Sequence, residues 1–194
     1  MTNAQTHSPS TDRFFVITGG PGSGKTTLIE ALEAAGFTRT VEAGRAVIQE
    51  QLGNGGEALP WTNPAAFADR MLERDIRSYE AAITQAGAVF FDRGIPDVIG
   101  YLRLSGLPVP AHMTKAAGDF RYHRRVFIAP PWREIYAQDA ERKQDFAEAQ
   151  RTYDAMVGTY TGLGYELVEL PRVSVEERVG FVVDAISVMQ AQVD

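Results

Sequence analysis

Short apolar runs alternate with helical patterns along the chain from residue 13 to its last residues. Arg13 to Thr18 carries Phe14-Phe15-Val16-Ile17, an unbroken apolar run that predicts a strand covered on both faces. Thr26 to Ala35 predicts a helix, stopped by Gly36. Phe37 to Glu42 predicts a second, more polar strand, and Gly44 to Leu52 a short helix. The loop Gly53-Asn54-Gly55-Gly56 continues through Pro60, and Asn63 before Pro64 marks a helix start. From there Ala68, Leu72, Ile76, Tyr79 and Ile83 share one face at helical spacing, as far as Gly87. Ala88-Val89-Phe90-Phe91-Asp92 predicts a third strand that ends in a carboxylate. Ile95 to Leu104 predicts a helix with Pro96 in its first turn, and Leu107 to Phe120 a further short helix. Arg125 to Ile128 predicts a fourth strand, stopped by Pro130-Pro131. Trp132 to Gly162 reads as helix, polar loop, helix, and Tyr165 to Glu169 as a fifth strand. Val179, Val182, Val183, Ile186 and Met189 give the last helix its apolar stripe.

Buried strands alternating with helices predict an α/β fold: a three-layer arrangement with a five-stranded, mostly parallel sheet, helices on both faces and a small lid at about 139–148. Residues 1–12 are polar, lack the apolar segment of a signal peptide and read as a disordered tail, leaving 13–194 as the folded domain. There is no internal repeat, no low-complexity segment and no run long enough to span a membrane.

Composition narrows the function classes. The chain has 194 residues, 44% hydrophobic and 23% charged, with a formal net charge of -6. An acidic surface repels nucleic-acid phosphates, which argues against broad nucleic-acid binding. The chain has no cysteine, so disulfides, thiolate catalysis and thiolate zinc sites are excluded, and a cytoplasmic location is expected.

The strongest chemical signal is Gly19-Gly20-Pro21-Gly22-Ser23-Gly24-Lys25-Thr26, which fits G-x-x-x-x-G-K-[ST] between a predicted strand and a predicted helix. Glycines let successive N–H groups turn inward on an anion, and the helix start adds its dipole. Lys25 is expected on the β and γ phosphates of ATP, and the Thr26 hydroxyl on Mg²⁺, with Thr27 beside it. Asp92 ends the third strand at the edge where α/β sheets bind ligands, which makes it a candidate for Mg²⁺, directly or through water. Its bland alternative is a helix-capping carboxylate. Arg93 suits a phosphate or substrate carboxylate, or else a surface ion pair, for example with Asp97.

Glu42 closes the second strand and is the candidate carboxylate to orient or accept a hydroxyl proton; an ion pair with Arg45 would explain it equally. Within the polar stretch, Arg142 is the first candidate for a lid cation, with Arg133 and Lys143 behind it, against the usual fate of charge clusters as a solvated face. His112 and His123 lack ligand spacing with one another. Trp61, Tyr101 and Tyr122 could line an acceptor pocket or pack in the core.

The stretches Val16–Thr27, Val41-Glu42-Ala43-Gly44-Arg45, Phe90–Asp97 and Leu163-Gly164-Tyr165-Glu166 together resemble the small P-loop kinases of nucleosides and nucleotides, and more closely the ATP-binding proteins grouped as an AAA domain. The resemblance implies a five-stranded parallel sheet with a lid. It assigns Asp92 and Arg93 to Mg²⁺ and the acceptor, Glu42 to the acceptor hydroxyl and Arg142 to the lid, and it places adenine near Pro171-Arg172-Val173. The function expected is an ATP-dependent phosphotransferase acting on a small-molecule acceptor, as a monomer or homodimer. Two alternatives stay open: an ATPase switch acting through a protein partner, and a kinase-like toxin or antibiotic-modifying enzyme. No Asn-Lys-x-Asp base-reading motif of GTPases and no Leu-Ser-Gly-Gly-Gln transporter signature is present.

Overall fold

A computed structural model of the protein describes residues 11–136 and 146–190. In chain order the elements are β1 (Phe14–Gly19), α1 (Lys25–Ala34), β2 (Thr38–Arg39), α2 (Ala43–Asn54), α3 (Pro64–Ile83), β3 (Val89–Asp92), α4 (Ile95–Leu104), α5 (Ala111–Asp119), β4 (Arg125–Ala129), α6 (Phe146–Gly162), β5 (Glu166–Glu169) and α7 (Val175–Gln190). The five strands form one sheet in the order β2-β3-β1-β4-β5, and every pairing is parallel.

The unbroken apolar runs have a direct explanation in the two-residue period of a strand. Phe14 and Val16 of β1 join one core with Phe91, Val126 and Ile128, covered by α2 to α6. Phe15 and Ile17 point the other way, into a second core with Phe90, Phe127, Leu28, Leu32, Val182 and Ile186 of α1 and α7. Each inner strand therefore has no solvent face on which to place a polar residue, and the expected three-layer α/β fold is the one observed. No helix among the described residues is long and apolar enough to cross a membrane.

Two elements differ from the sequence pattern. The second strand pairs over only Thr38 and Arg39, with Thr40 N adding one bond to the Phe90 carbonyl. It is an edge strand, so only one side can be paired, and the chain turns away with Val41 exposed to start α2. The helix expected from Trp132 is instead a turn over its described residues: Tyr136 N donates to the Arg133 carbonyl at 3.3 Å. Arg133 stacks over the Phe146 ring at 4.3 Å, and Tyr136 meets the same ring edge-on at 5.5 Å. Packing on one tertiary partner overrides local helical propensity there. Of the expected lid, residues 146–148 form the first turn of α6. The candidates Arg142 and Lys143 lie outside the described residues, as does most of the expected N-terminal tail.

Parallel strands bring their carboxyl ends to one edge of the sheet. Gly19, Asp92 and Ala129 meet there, because Ile17 pairs with Asp92 and Gly19 with Ala129. Gly19 has φ +131°, and a Cβ on it would strike the Ala129 carbonyl oxygen, so no side chain fits where β1 turns into the loop.

Candidate active site

The loop from Gly20 to Gly24 leaves β1 at this edge and feeds α1. Gly22 and Gly24 adopt left-handed φ of +67° and +77°, the conformations that turn N–H groups toward the loop centre. Ser23 Oγ donates to the Gly20 carbonyl at 2.8 Å. The buried Lys25 ammonium donates to the same carbonyl at 2.5 Å and to Ser23 Oγ at 3.3 Å, which holds its charge at the mouth of the loop. Gly24 caps α1 with no side chain, leaving the first-turn N–H groups and their dipole to face an anion. Thr26 and Thr27 are exposed on that turn.

Two groups remote in sequence complete this cavity, and sequence reasoning missed both. Arg178, on α7, is only 3% exposed. Its Nη1 donates to the Ser23 carbonyl at 3.0 Å, and its guanidinium lies 5.6 Å from the centre of the Trp132 ring. Its Nε and Nη2 are buried with no hydrogen-bond partner among the described residues, and burial lowers its pKa from the usual arginine value. Tyr136 lies over the loop, so that a Cβ at Gly22 would come within 2.5 Å of its ring. The cavity they close measures about 480 Å³ and includes Val173, one of the three residues expected near adenine. Arg172, another, donates from Nε to the Pro131 carbonyl at 3.2 Å.

Across the sheet edge, a polar network joins three of the predicted residues. Arg93 is the one non-glycine among the described residues with positive φ, +68°. That conformation turns its side chain back under the loop: Nε donates to Glu42 Oε1 at 3.2 Å, and Nη1 donates to the Gly19 carbonyl at 3.0 Å and to Asp97 Oδ1 at 3.2 Å. Burial disfavours its charge, but the carboxylates of Glu42, Asp97 and Asp92 outweigh that and push its pKa up. Arg45 lies farther out, with Nε 4.0 Å from Glu42 Oε2. Asp97 also accepts from Thr18 Oγ1 at 2.5 Å, Tyr160 OH at 2.6 Å and Gly94 N at 3.0 Å, making it the hub. The ion pair between Arg93 and Asp97 is therefore internal rather than on the surface.

Asp92 is buried, and its Oδ1 has no hydrogen-bond partner among the described residues. Burial, reinforced by the Glu42 carboxylate, raises its pKa to about 6. An orphaned buried carboxylate oxygen at the strand end fits a hard cation. Among the described residues no three acidic or histidine side chains form a metal cage, and magnesium needs none where phosphates and water supply its other ligands. Asp92, with its buried unpartnered oxygen, and Thr26, exposed on the first turn of α1, are the oxygen donors that this edge offers to such a cation.

The raised pKa also carries a sign for stability. The folded protein holds a proton on Asp92 that the unfolded chain has released, so ligand-free protein loses stability as pH climbs from about 4 to about 6. Asp92→Asn is expected to stabilise the protein at pH 7.5 by on the order of 2 kcal/mol and to leave it unchanged near pH 4. Thermal unfolding in EDTA at both pH values measures this; an equal gain at both would refute it.

Other candidates fall elsewhere. Trp61 and Tyr101 line a second cavity beside Glu42. Tyr122 is buried in the core, where its hydroxyl accepts from Ile95 N at 3.2 Å. His112 pairs with Asp69 on the surface at 3.1 Å. His123 Nδ1 accepts from Arg125 N at 3.1 Å, and its ring lies 4.8 Å from Phe15.

The comparisons with known proteins agree with this architecture. No curated protein matches the chain. Among solved structures, NadR protein in complex with NR has a TM-score of 0.70 at 18% identity, covering 91% of this chain and 51% of that one; the chain thus spans about half the NadR length. Deoxyadenosine kinase from M. mycoides, with the products dCMP and a flexible dCDP bound, has a TM-score of 0.63 at 13% identity, covering 90% and 98%. Thymidylate kinase from Ehrlichia chaffeensis has a TM-score of 0.56 at 16% identity, covering 91% and 98%. At these identities the likeness is one of fold, that of the P-loop kinases. The family model described as "AAA domain" matches residues 14–178, and the chain belongs to that family.

Proposed function

We propose that the protein is an ATP-dependent phosphotransferase that moves the γ-phosphoryl group of Mg-ATP to a small-molecule acceptor. One observation carries this reading: the phosphate-loop cavity and the second cavity, of about 760 Å³, share Pro21, Glu42 and Arg45 in their walls. A nucleotide in the first and an acceptor in the second would meet at a carboxylate. A switch that only hydrolyses ATP has no need of the second cavity.

In this arrangement the loop N–H groups, the α1 dipole and Lys25 bind the triphosphate and neutralise charge that builds on the departing ADP oxygen. Thr26 and Asp92 would hold Mg²⁺, which would supply further charge neutralisation on the phosphates. Arg93 fixes Glu42 through Oε1, so the carboxylate is oriented before the acceptor arrives. The acceptor oxygen forms a bond to the γ-phosphorus as the bond to the ADP β-phosphate oxygen breaks, and Glu42 takes the acceptor's hydroxyl proton. Arg178 and Tyr136 close the nucleotide side and exclude water.

The test is ADP release, with detection of the phosphorylated product, across nucleosides, nucleotides, sugars, vitamins and antibiotics. Acceptor-stimulated turnover is expected. Glu42→Gln is expected to reduce it by about 10²-fold while Mg-ATP affinity stays within about threefold. ADP release that ignores every acceptor and responds only to a protein partner would favour the switch and sink the reading.

A further inference from the structure

The second cavity contains a group that the mechanism above does not use. Asp75 lies on the α3 face that otherwise buries Phe67, Ala68, Met71, Leu72, Tyr79 and Ala82. It is 7% exposed, and it lines the cavity. Every other acid in that wall has a cation at hand: Glu42 and Asp97 have Arg93, and Glu148 has Arg151 at 2.5 Å. Among the described residues Asp75 has neither an ion pair nor a hydrogen bond. The nearby guanidinium of Arg93 is committed to Glu42, Asp97 and the Gly19 carbonyl.

A buried acid with no partner costs stability, and an apolar residue would serve the core better. The cost is recovered if a ligand supplies the missing hydrogen bond. The cavity also limits what that ligand can be. Its aromatic side chains, Trp61, Phe67 and Tyr101, suit a flat ring. Its cations are Arg93, already committed, and Arg45, 41% exposed at the boundary with the nucleotide cavity. Lys25 and Arg178 line the nucleotide cavity instead. A phosphate deep in the second cavity would thus face carboxylates without a cation of its own.

We propose that Asp75 selects the acceptor: an alcohol, not a phosphomonoester, whose flat ring carries an N–H group that donates to the Asp75 carboxyl. This rests on the phosphotransferase reading and deepens it by naming the acceptor class. Burial, with the carboxylates of Asp97, Asp92 and Glu42, holds the Asp75 carboxyl well above the usual carboxylate range. A carboxyl in that state both donates and accepts, the complement of an amide edge.

Matched acceptors test it. Product formation is measured with adenosine, cytidine and uridine, with N6,N6-dimethyladenosine, N4,N4-dimethylcytidine and 3-methyluridine, which lack the N–H, and with the three parent 5′-monophosphates. Turnover is expected with at least one nucleoside. Its methylated partner is expected to lose about 10- to 100-fold in kcat/KM, the effect of stranding a buried polar group, and the monophosphates to be poorer still. Asp75→Leu is expected to erase the preference for the N–H acceptor, raising its KM by a similar factor, while the Kd for Mg-ATP is unchanged. Ligand-free Asp75→Leu is expected to melt no lower than wild type, since it removes an unpartnered buried acid. A monophosphate as the best acceptor, equal rates for methylated and parent nucleosides, or unchanged discrimination in Asp75→Leu overturns the inference. So does Mg-ATP binding without turnover of any nucleoside. Failure to bind Mg-ATP at all overturns the phosphotransferase reading itself. The wild-type comparison of matched acceptors decides the matter even if the variant does not fold.

Discussion

Replacing Lys25 with methionine is expected to lower kcat/KM for phosphoryl transfer by about 10³-fold or more, roughly 4 kcal/mol, with little change in folding stability. Lysine and methionine have similar length, and the Lys25 stem is buried against the loop, so packing survives while the charge does not. The charge acts most strongly as ADP departs, when negative charge grows on the phosphate oxygens, so kcat is expected to fall more than Mg-ATP affinity. The Lys25 ammonium reaches the Gly20 carbonyl and Ser23 Oγ, whereas Arg178, in the wall of the same cavity, is tied through Nη1 to the Ser23 carbonyl and does not take over the Lys25 position. Steady-state kinetics beside Mg-ATP titration calorimetry checks the prediction. A variant that keeps a tenth of wild-type kcat would remove Lys25 from the chemistry.

Arg93→Met is expected to destabilise the protein by about 3–5 kcal/mol, a large share of the stability of a domain this size. The substitution leaves Glu42, Asp97 and the Gly19 carbonyl together in a partly buried space without the cation they share. It also retains a non-glycine residue at φ +68°, a conformation that the arginine's three contacts help to hold. Arg93→Lys is expected to recover part of the loss, since an ammonium supplies the charge but not the fork that spans three acceptors. Urea unfolding of the three proteins at pH 7.5 measures this, and a loss below about 1 kcal/mol for Arg93→Met would show that the network contributes little. The two predictions separate two neighbouring cations by role, one serving turnover and the other the frame.

How far the sequence discloses the site follows from how far apart its parts lie. The phosphate loop is legible because Gly19 to Thr26 are contiguous, and each residue's constraint is local: a left-handed turn, a helix start, a short reach to phosphate. Asp92 and Arg93 are legible as a strand end, although the positive φ that turns Arg93 inward is not. Asp97 is legible only as a surface ion-pair partner for Arg93. An acid in the first turn of α4 reads as an ordinary N-terminal charge, yet it accepts from Thr18, Tyr160 and Arg93 on three other elements. Arg178 follows Glu176 and Glu177 and reads as part of a solvated helix face; only the packing of α7 beside α1 buries it at Ser23. Asp75 is an acid within a long amphipathic helix, where hydropathy alone cannot say which positions face a cavity. The second strand is misread for a related reason: a sheet edge needs little apolar surface, and its length is set by where the chain must turn to deliver Glu42.

The strand order has a consequence for how the molecule comes into being. β1 precedes the other four strands of its sheet in the chain, yet it occupies the middle, between β3 and β4, and the loop behind it is braced by an arginine 155 positions later. During synthesis the phosphate loop can exist only as an unsupported turn, its strand unpaired until residues 89–92 and then 125–129 have been made. Contacts of such long range are slow to close and leave apolar strand surface open in the interim. A nascent chain therefore cannot complete its nucleotide cavity until α7 has been made and has docked beside α1.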